Sequence, residues 1–419
     1  MSRNPKKEVR RGSWPGATGG AASIARRAEI RALAAIASRL KQRVWIVGGA
    51  ARDLLLDRAV PEVDAAVSGD AQVLARAMEN AGLGRAVPLS QSAPRVFRVA
   101  GRREMDLAEI GSASIEEDLK RRDFTVNAMA FDLMTGQWLD PFGGRKDLAA
   151  GRLRAVSPQN LEEDPLRVLR AARFLATHEL VPDARTSRAC RRVAPRLTEV
   201  ADERIRAEWV KIFEARRAAP ALRWASRARL LGPALRVGES QAGILARSAA
   251  LFDAPSIRRR EPASRRRLRL ALLCARFRIA PGAVAPWLTA RRYGRSEAGD
   301  IAALLTLASA AREARTRRKQ WAWVRDSGRL AAEALALLRI LYPASRPRAR
   351  ALSRRVSAAR RPGPAVSGAD VLEWLRISPG PQVGKLLADL QVEILSGTVR
   401  TRQKARAWLA SRLSTPPPL

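Results

Sequence analysis

The chain has 419 residues, with 78 Lys and Arg against 40 Asp and Glu, and a formal net charge of +38. This length predicts several packed units rather than one. A hydrophobic content of 47% supplies cores for them, while no apolar run reaches the length of a membrane span. So strong a positive charge indicates a polyanionic partner, above all a nucleic acid.

The few cysteine and histidine residues exclude two kinds of site. Cys190 and Cys274 lie far apart and suggest neither a disulfide framework nor a zinc site. His178 is the single histidine, which excludes metal binding by a histidine cluster. This composition suits a reducing compartment, and we expect a cytoplasmic protein. Residues 1–20 are basic and glycine-rich and lack the apolar core of a secretory signal. We therefore expect residues 1–22 to form a disordered basic arm.

The first predicted elements surround a pair of glycines. A helix over residues 24–40 leads into a short apolar strand over 44–47, which ends at Gly48 and Gly49 and is followed by a helix over 51–57. A glycine pair between a strand and a helix lets backbone N–H groups approach an anion, and the helix N-terminus adds its positive end. The stretch therefore predicts a phosphate site.

Charged side chains around these glycines suit a metal site beside the phosphate. Arg52 lies in the first turn of the helix, where its guanidinium can bind the same phosphate. A second strand over 62–67 places Glu62 and Asp64 on one face, because side chains alternate along a strand. Two such carboxylates suit a pair of Mg²⁺ ions, which take oxygen ligands from few carboxylates and from substrate phosphates. The alternative is a plain Gly-Gly turn beside a solvated acidic edge, and the order of the motifs favours the metal site.

A predicted hairpin carries a third acid. Residues 71–81 form a helical pattern, and residues 95–108 read as two strands joined by a tight turn. Asp106 alternates with apolar neighbours, so it can point to the same face as Glu62 and Asp64. A third carboxylate there would complete a metal site, although the spacing is equally compatible with an ordinary exposed acid.

The rest of the chain predicts mainly helices. Residues 115–133 have a helical pattern with an ambiguous end, and residues 161–180 predict one long helix. Arg167, Arg170 and Arg173 recur along one side of that helix, a pattern typical of a solvated face. Further predicted helices cover residues 203–215, 221–231, 265–279, 301–313 and 330–341.

Five ordered motifs carry a resemblance to a known family. They read GGAARDLLL with EVD, then EEDLKRRDFTVNAMAF, DPFGGRKDL, EEDPLRVLRAARF and ERIRAEWVKIF. In this order they resemble the class II (bacterial-type) tRNA nucleotidyltransferases and poly(A) polymerases, and most closely the CCA-adding enzymes. The resemblance implies an α+β fold, with a small mixed-sheet nucleotidyltransferase head followed by an all-helical neck, body and tail. The implied boundaries are residues 23–158 for the catalytic head, 159–231 for the neck with its base-reading helix, 232–345 for the body and 346–419 for the tRNA-binding tail.

The resemblance also implies a role for each motif residue. Glu62 and Asp64 would hold Mg²⁺, with Asp106 as a third catalytic acid. An Asp and an Arg on one helix present an acceptor and a donor fork, enough to hydrogen-bond the base edges of C and A. The implied nucleotide-binding residues are Gly48, Gly49 and Arg52 at the triphosphate, Arg122, Asp123 and Asn127 at the sugar and phosphates, Glu163, Asp164 and Arg167 at the base, and Arg170 beside them.

The implied activity is template-independent addition of C and A, from CTP and ATP, to the 3′ end of tRNA, with no membrane or protein partner. Two departures from the family leave alternatives open. Glu62 stands where the family has Asp, and the segment between Asp106 and Glu116 is several residues short and lacks an Arg. A short segment cannot swing far enough to reshape a base pocket, which by itself predicts addition of two C residues only. We rank full CCA addition first and CC addition next, followed by a poly(A) polymerase and by an RNA-binding paralogue without catalysis.

Overall fold

The computed structural model describes residues 27–60, 62–90, 94–359 and 364–413. The chain forms two compact units, one of residues up to 200 together with 227–234, the other of residues 201–226 together with those from 235 onward. The predicted basic arm and the last residues of the predicted tail lie outside the described residues. Among the described helices, none is both long and apolar enough to cross a membrane.

The first unit is built on a mixed sheet. Its strands are β1 (Val44–Val47), β2 (Glu62–Val67), β3 (Arg85–Ser90), β4 (Val96–Ala100), β5 (Glu104–Glu109), β6 (Ala130–Asp132) and β7 (Trp138–Leu139). Across this seven-stranded sheet the order is β3-β4-β5-β2-β1-β6-β7. β2 and β5 run parallel, and the other neighbouring pairs run antiparallel. The mixed sheet and the helices that follow it confirm the α+β fold expected from the sequence.

The alternation of side chains along β2 separates a core from a polar face. Val63, Ala65 and Val67 belong to the larger apolar cluster of this unit. Glu62 and Asp64 alternate with them and lie on the opposite face of the sheet. A slip of one residue in the pairing of β2 would turn the apolar side chains to the polar face, so their burial determines the register.

The helices of this unit are α1 (Ala28–Arg39), α2 (Gly48–Leu55), α3 (Ala71–Asn80), α4 (Ile115–Lys120), α5 (Gly144–Ala149), α6 (Pro158–Glu163), α7 (Leu166–His178) and α8 (Ala184–Val193). A short parallel pair, β8 (Arg152–Leu153) and β9 (Val181–Pro182), joins them. The helix predicted over 51–57 begins earlier, because β1 passes directly into α2 at Gly48. The pattern over 115–133 yields only α4, since a 3₁₀ turn at Thr125–Asn127 and β6 occupy its second half.

The single helix predicted over 161–180 is wrong. α6 ends at Glu163, Asp164 has extended backbone with φ −131° and ψ 97°, and α7 begins at Leu166. Pro165 lies at this break because a proline disfavours helical backbone in the residue before it and has no N–H to continue a helix. Glu163 and Arg167 therefore lie on separate helices.

Downstream of α8 the described residues form helices and turns, as the sequence predicts, and no strands. The α-helices there are α9 (Asp202–Glu214), α10 (Ala219–Arg227), α11 (Leu231–Leu235), α12 (Glu239–Ser248), α13 (Pro255–Arg258), α14 (Pro262–Arg276), α15 (Pro281–Thr289), α16 (Arg295–Glu313), α17 (Arg317–Ser327), α18 (Ala331–Leu341), α19 (Arg346–Ala358), α20 (Gly368–Leu375), α21 (Pro381–Ser396) and α22 (Arg402–Leu413).

Candidate active site

Gly48 lies where the Gly-Gly turn meets the acidic strand. Its φ is +65°, in the left-handed region that favours glycine. A Cβ atom at this position would lie 2.9 Å from Nη1 of Arg122 and 3.2 Å from Oδ2 of Asp64. The structure therefore brings together three predicted site residues from separate motifs, and only a residue without a side chain fits between the other two.

The predicted acids share one face of the sheet. In the parallel pairing of β2 with β5, Asp64 lies opposite Asp106 and Glu62 lies opposite Glu104. Burial raises the pKa of Asp64; Arg122 opposes this shift, and the carboxylates of Asp106 and Glu62 add to it. Glu104 is a fourth acid on this face that sequence reasoning missed, although its spacing of two residues from Asp106 is a usable signal.

Asp106 is paired with an arginine on the neighbouring strand. Nε of Arg98 donates to Oδ1 of Asp106 at 2.7 Å, and Nη2 donates to Oδ2 at 2.8 Å. Nη1 of the same guanidinium lies 3.0 Å from Oε2 of Glu104. Sequence reasoning missed Arg98, although a hairpin register with Ala100 opposite Glu104 also places Arg98 opposite Asp106.

A buried polar network joins the other predicted motifs. Nη1 of Arg52 donates to Oδ1 of Asn127 at 2.7 Å, and Nδ2 of Asn127 donates to Oδ1 of Asp123 at 3.0 Å. Nε of Arg170 donates to the other oxygen of Asp123 at 2.7 Å. The rest of the Arg52 guanidinium binds the carboxylate of Asp53, with Nε–Oδ1 and Nη2–Oδ2 distances of 3.0 and 3.1 Å. This network links α2, the RRDFTVN segment and α7.

The charges in this network determine how Asp123 ionises. Burial by itself would raise the pKa of Asp123, but the Arg170 guanidinium and the hydrogen bonds from Asn127 and from the Phe124 N–H hold it below its ordinary value. Asp123 is therefore a carboxylate at neutral pH. Because Arg170 binds it directly, the interpretation of the arginine stripe on α7 as a solvated face is wrong for Arg170.

The remaining predicted residues lie near the break between α6 and α7. Glu163 is exposed and Asp164 is half-buried. Nη1 of Arg167 donates to the main-chain carbonyl of Asn160 at 2.8 Å. Nδ2 of Asn160 donates in turn to the carbonyls of Lys120 and Arg122, at 2.7 and 2.6 Å. Asn160, which no spacing signal in the sequence singled out, thus connects the Arg167 turn to the segment that carries Arg122.

The acids on this face of the sheet supply only some of the ligands that a divalent cation needs. In the described ranges no group of three or more Asp, Glu, His or Cys side chains could hold a metal ion. Glu62 and Asp64 nevertheless supply the carboxylate oxygens that Mg²⁺ prefers. A cation would offset the burial and the neighbouring carboxylates that together raise the pKa of Asp64. The donor set therefore suits a metal that takes its other ligands from a substrate phosphate.

Comparison with known proteins agrees with this geometry. Residues 44–154 match the model of the poly A polymerase head domain, and residues 181–237 match that of the probable RNA and SrmB-binding site of polymerase A. A CC-adding tRNA nucleotidyltransferase of Synechocystis sp. is 28% identical over 393 residues, which are 88% of this chain and 93% of that protein. These matches support a place for the chain among the class II tRNA nucleotidyltransferases and poly(A) polymerases.

Other members of the family match in different ways. A multifunctional CCA protein of Nitrosococcus oceani is 43% identical over 143 residues, which are 32% of this chain and 35% of that protein. The crystal structure of the Bacillus stearothermophilus CCA-adding enzyme with CTP has a TM-score of 0.72 and 25% identity, and the match covers 93% of this chain and 98% of that one. Nucleotidyltransferases of this family generally use divalent metals.

Proposed function

We propose that this protein transfers nucleotides from CTP to the 3′ end of tRNA without a nucleic-acid template. A second candidate activity, argued below, also uses ATP. The observation that carries the proposal is the convergence of Gly48, Asp64 and Arg122 at one point, where a glycine turn, a metal-type acid and an arginine meet. The match to the Synechocystis CC-adding enzyme, over 88% of this chain, supports the same activity. A cytoplasmic location belongs to the proposal, because Cys190 and Cys274 are both free and buried.

The proposal assigns the acids and the metal as follows. Glu62 and Asp64 hold Mg²⁺, and Asp106 is the third acid of the same face. When bound, Mg²⁺ supplies Lewis-acid polarisation of the phosphate and hydroxyl oxygens. Transfer of the nucleotidyl group needs positioning and charge neutralisation more than covalent participation, which suits a site with no histidine beside its acids.

Backbone and cationic groups hold the nucleotide in this proposal. The N–H groups at Gly48 and Gly49, in the first turn of α2, face the triphosphate together with Arg122. Arg52 contributes its charge from the buried network next to Gly49, since its Nη2 would lie 3.5 Å from a Cβ atom placed on Gly49. Asp123 and Asn127 are assigned to the sugar and phosphates.

The turn between α6 and α7 is assigned to the base. Glu163, Asp164 and Arg167 present acceptors and a donor fork, and Arg170 supports them through Asp123. A base with the wrong pattern of donors and acceptors would leave these groups unpaired, and discrimination follows from that loss. Arg167 gives up its hydrogen bond to the Asn160 carbonyl when it binds a base edge.

Outside the head, the proposal assigns residues 159–231 to the neck, 232–345 to the body and 346–419 to the tail. Helix α19 carries exposed arginines at positions 346, 350 and 354, which lie on one side of the helix because they are four residues apart. Such a stripe suits phosphates of duplex RNA, which is recognised through its backbone and shape.

The segment after Asp106 supports one choice of added nucleotides over the other. Glu109 accepts hydrogen bonds from the Ala71 N–H at 3.0 Å and from Nε of Arg95 at 3.2 Å, and the Ile110 N–H binds the Val67 carbonyl at 3.0 Å. A capping box of Ser114 and Glu117 then starts α4. Both ends of the short segment are therefore anchored, which supports CC addition. The sequence alone had ranked full CCA addition first.

Full CCA addition is the second candidate. The motifs at Gly48, Asp123 and Arg167 are complete, and a stretch of 143 residues is 43% identical to part of a multifunctional CCA protein. In that case the remaining freedom at Gly111, whose φ is +60°, would have to suffice for the change from C to A.

Product length on a tRNA that lacks its last three nucleotides tests the proposal, with CTP and ATP both present. We expect synthesis to stop after two C residues, and we expect no addition to a matched tRNA that already ends in CC. Complete CCA ends at comparable rates would select the second candidate. Long A tracts would indicate a poly(A) polymerase, and a tRNA that is bound but never extended would indicate a paralogue without catalysis; either result contradicts the proposal.

A further inference from the structure

The carboxylates of Asp106 and Asp64 have different neighbours although the two residues are register partners on one face of the sheet. Arg98 on β4 lies opposite Asp106 on β5, and its guanidinium occupies both oxygens of that carboxylate, at 2.7 and 2.8 Å. On the other side, Oδ2 of Asp64 points to Gly48 at the end of β1. Since the strand order is β4-β5-β2-β1, Asp106 is drawn to one side of the pair and Asp64 to the other.

Arg98 also changes the charge of this face. Glu62, Asp64, Glu104 and Asp106 all lie on it, and a triphosphate that approached four uncompensated carboxylates would be repelled. The Arg98 guanidinium forms a bidentate salt bridge with Asp106 and lies 3.0 Å from the carboxylate of Glu104. The acids nearest β4 are therefore compensated from within the sheet by direct contacts with Arg98, whereas Glu62 feels the same guanidinium only through a weaker electrostatic interaction.

We propose that Arg98 is a positioning residue that keeps Asp106 out of direct contact with the metal, so that Glu62 and Asp64 alone supply the protein's carboxylates to it. This inference rests on the proposed function, because it concerns the metal that the activity needs. Both oxygens of Asp106 accept a hydrogen bond from Arg98, which supports a site of two carboxylates.

Binding of Mn²⁺ to the full chain without nucleotide or tRNA tests the inference, measured by electron paramagnetic resonance. We expect Asp64→Asn to weaken Mn²⁺ binding by about tenfold or more, and Asp106→Asn to change it by less than about threefold. Arg98→Gln should strengthen binding, because the released Asp106 carboxylate becomes available, and the double variant Arg98→Gln with Asp106→Asn should return to the wild-type affinity.

Arg95→Gln is the matched control. Arg95 lies on the same hairpin, is similarly exposed and pairs with Glu109 at 3.0 Å, but it is distant in register from Asp64. We expect it to leave the Mn²⁺ affinity unchanged, whereas Arg98→Lys should have a smaller effect than Arg98→Gln because an ammonium cannot bind both oxygens in the same way.

Two results would overturn the inference. One is a loss of Mn²⁺ affinity in Asp106→Asn as large as that in Asp64→Asn, and the other is weaker binding in Arg98→Gln. Both are read without any transfer reaction, so they are distinguishable from a failure of the proposed function, which shows only in the tRNA extension assay.

Discussion

The side-chain amide of Asn127 joins Arg52 to Asp123, with hydrogen bonds of 2.7 Å on its oxygen and 3.0 Å on its nitrogen. All three side chains are buried. The amide oxygen can only accept a hydrogen bond and the amide NH₂ group can only donate, so a single orientation of Asn127 satisfies both partners. The segment that carries Arg122 and the helix after the glycine pair are thereby held in one arrangement.

Replacement of Asn127 should reveal this coupling. Asn127→Leu keeps the size of the side chain but removes one buried hydrogen bond from Arg52 and one from Asp123, at about 1–3 kcal/mol for each. The ion pairs of these two groups with Asp53 and Arg170 remain. We expect a lower free energy of unfolding in urea and a higher KM for CTP. Asn80→Leu, the same change at an exposed position of α3, is the matched control; an equal effect of the two variants would contradict the coupling.

Asp64→Asn should abolish nucleotide addition and at the same time stabilise the metal-free protein. A carboxyl whose pKa is raised in the folded state favours folding when it is protonated, below its unfolded value of 3.8, and that contribution is lost as the pH rises through the folded value. We therefore expect a higher Tm than wild type near pH ~7 and a smaller difference near pH ~3. Excess Mg²⁺ should raise the Tm of the wild type and not that of the variant.

The control for this prediction is Glu116→Gln, which removes an exposed carboxylate at the start of α4 and should change neither Tm nor activity. Binding of tRNA should also be nearly unchanged in Asp64→Asn, since the proposal assigns it to basic surfaces outside the head. Wild-type turnover by Asp64→Asn would refute the metal assignment.

Arg167→Ala should relax the choice among nucleotides more than it weakens triphosphate binding. The loss of a donor fork to a base edge removes roughly 1–3 kcal/mol of discrimination, while the groups at Gly48 and Arg122 still hold the phosphates. Single incorporation of each of the four nucleotides measures this effect. Arg173→Ala is the comparison on the same side of α7, and unchanged selectivity in Arg167→Ala would remove the base-reading role from this turn.

His178 should stay neutral throughout the physiological range. Burial and the charges of Arg52, Arg173 and Arg58 lower its pKa from 6.5 to about 3. The unfolded chain binds this proton first, so the stability that neutral His178 contributes is complete above pH 6.5 and is lost as the pH falls toward 3. His178→Gln should therefore make the stability less sensitive to pH within that window.

Nuclear magnetic resonance can follow this group without ambiguity, because the chain has one histidine. We expect its imidazole signals to show no titration between pH ~5 and pH ~8. A midpoint near 6.5 would mean that the imidazole is solvated, in conflict with its packing 5.3 Å from the ring of Phe174.

Local patterns were sufficient for the elements that surround the site. The apolar run at Val44–Val47 and the alternation over Glu62–Val67 predicted both strands with their observed bounds, because burial of one face is encoded residue by residue. The hairpin and the shared face of Asp64 and Asp106 follow from the same rule. The long helix over 161–180 failed because its apolar period continues across Pro165, where the backbone cannot remain helical.

The sequence by itself thus determined the elements, the acids on their faces and the resemblance of the motifs to a family. Only the tertiary structure decided that Arg98 binds Asp106, that Arg170 binds Asp123 and that Asn160 connects the Arg167 turn to Arg122. Asp123 and Arg170, like Asn160 and Arg122, are far apart along the chain, so no local period relates them. Their pairing depends on which strands and helices become neighbours, and that order is determined by the packing of the whole unit.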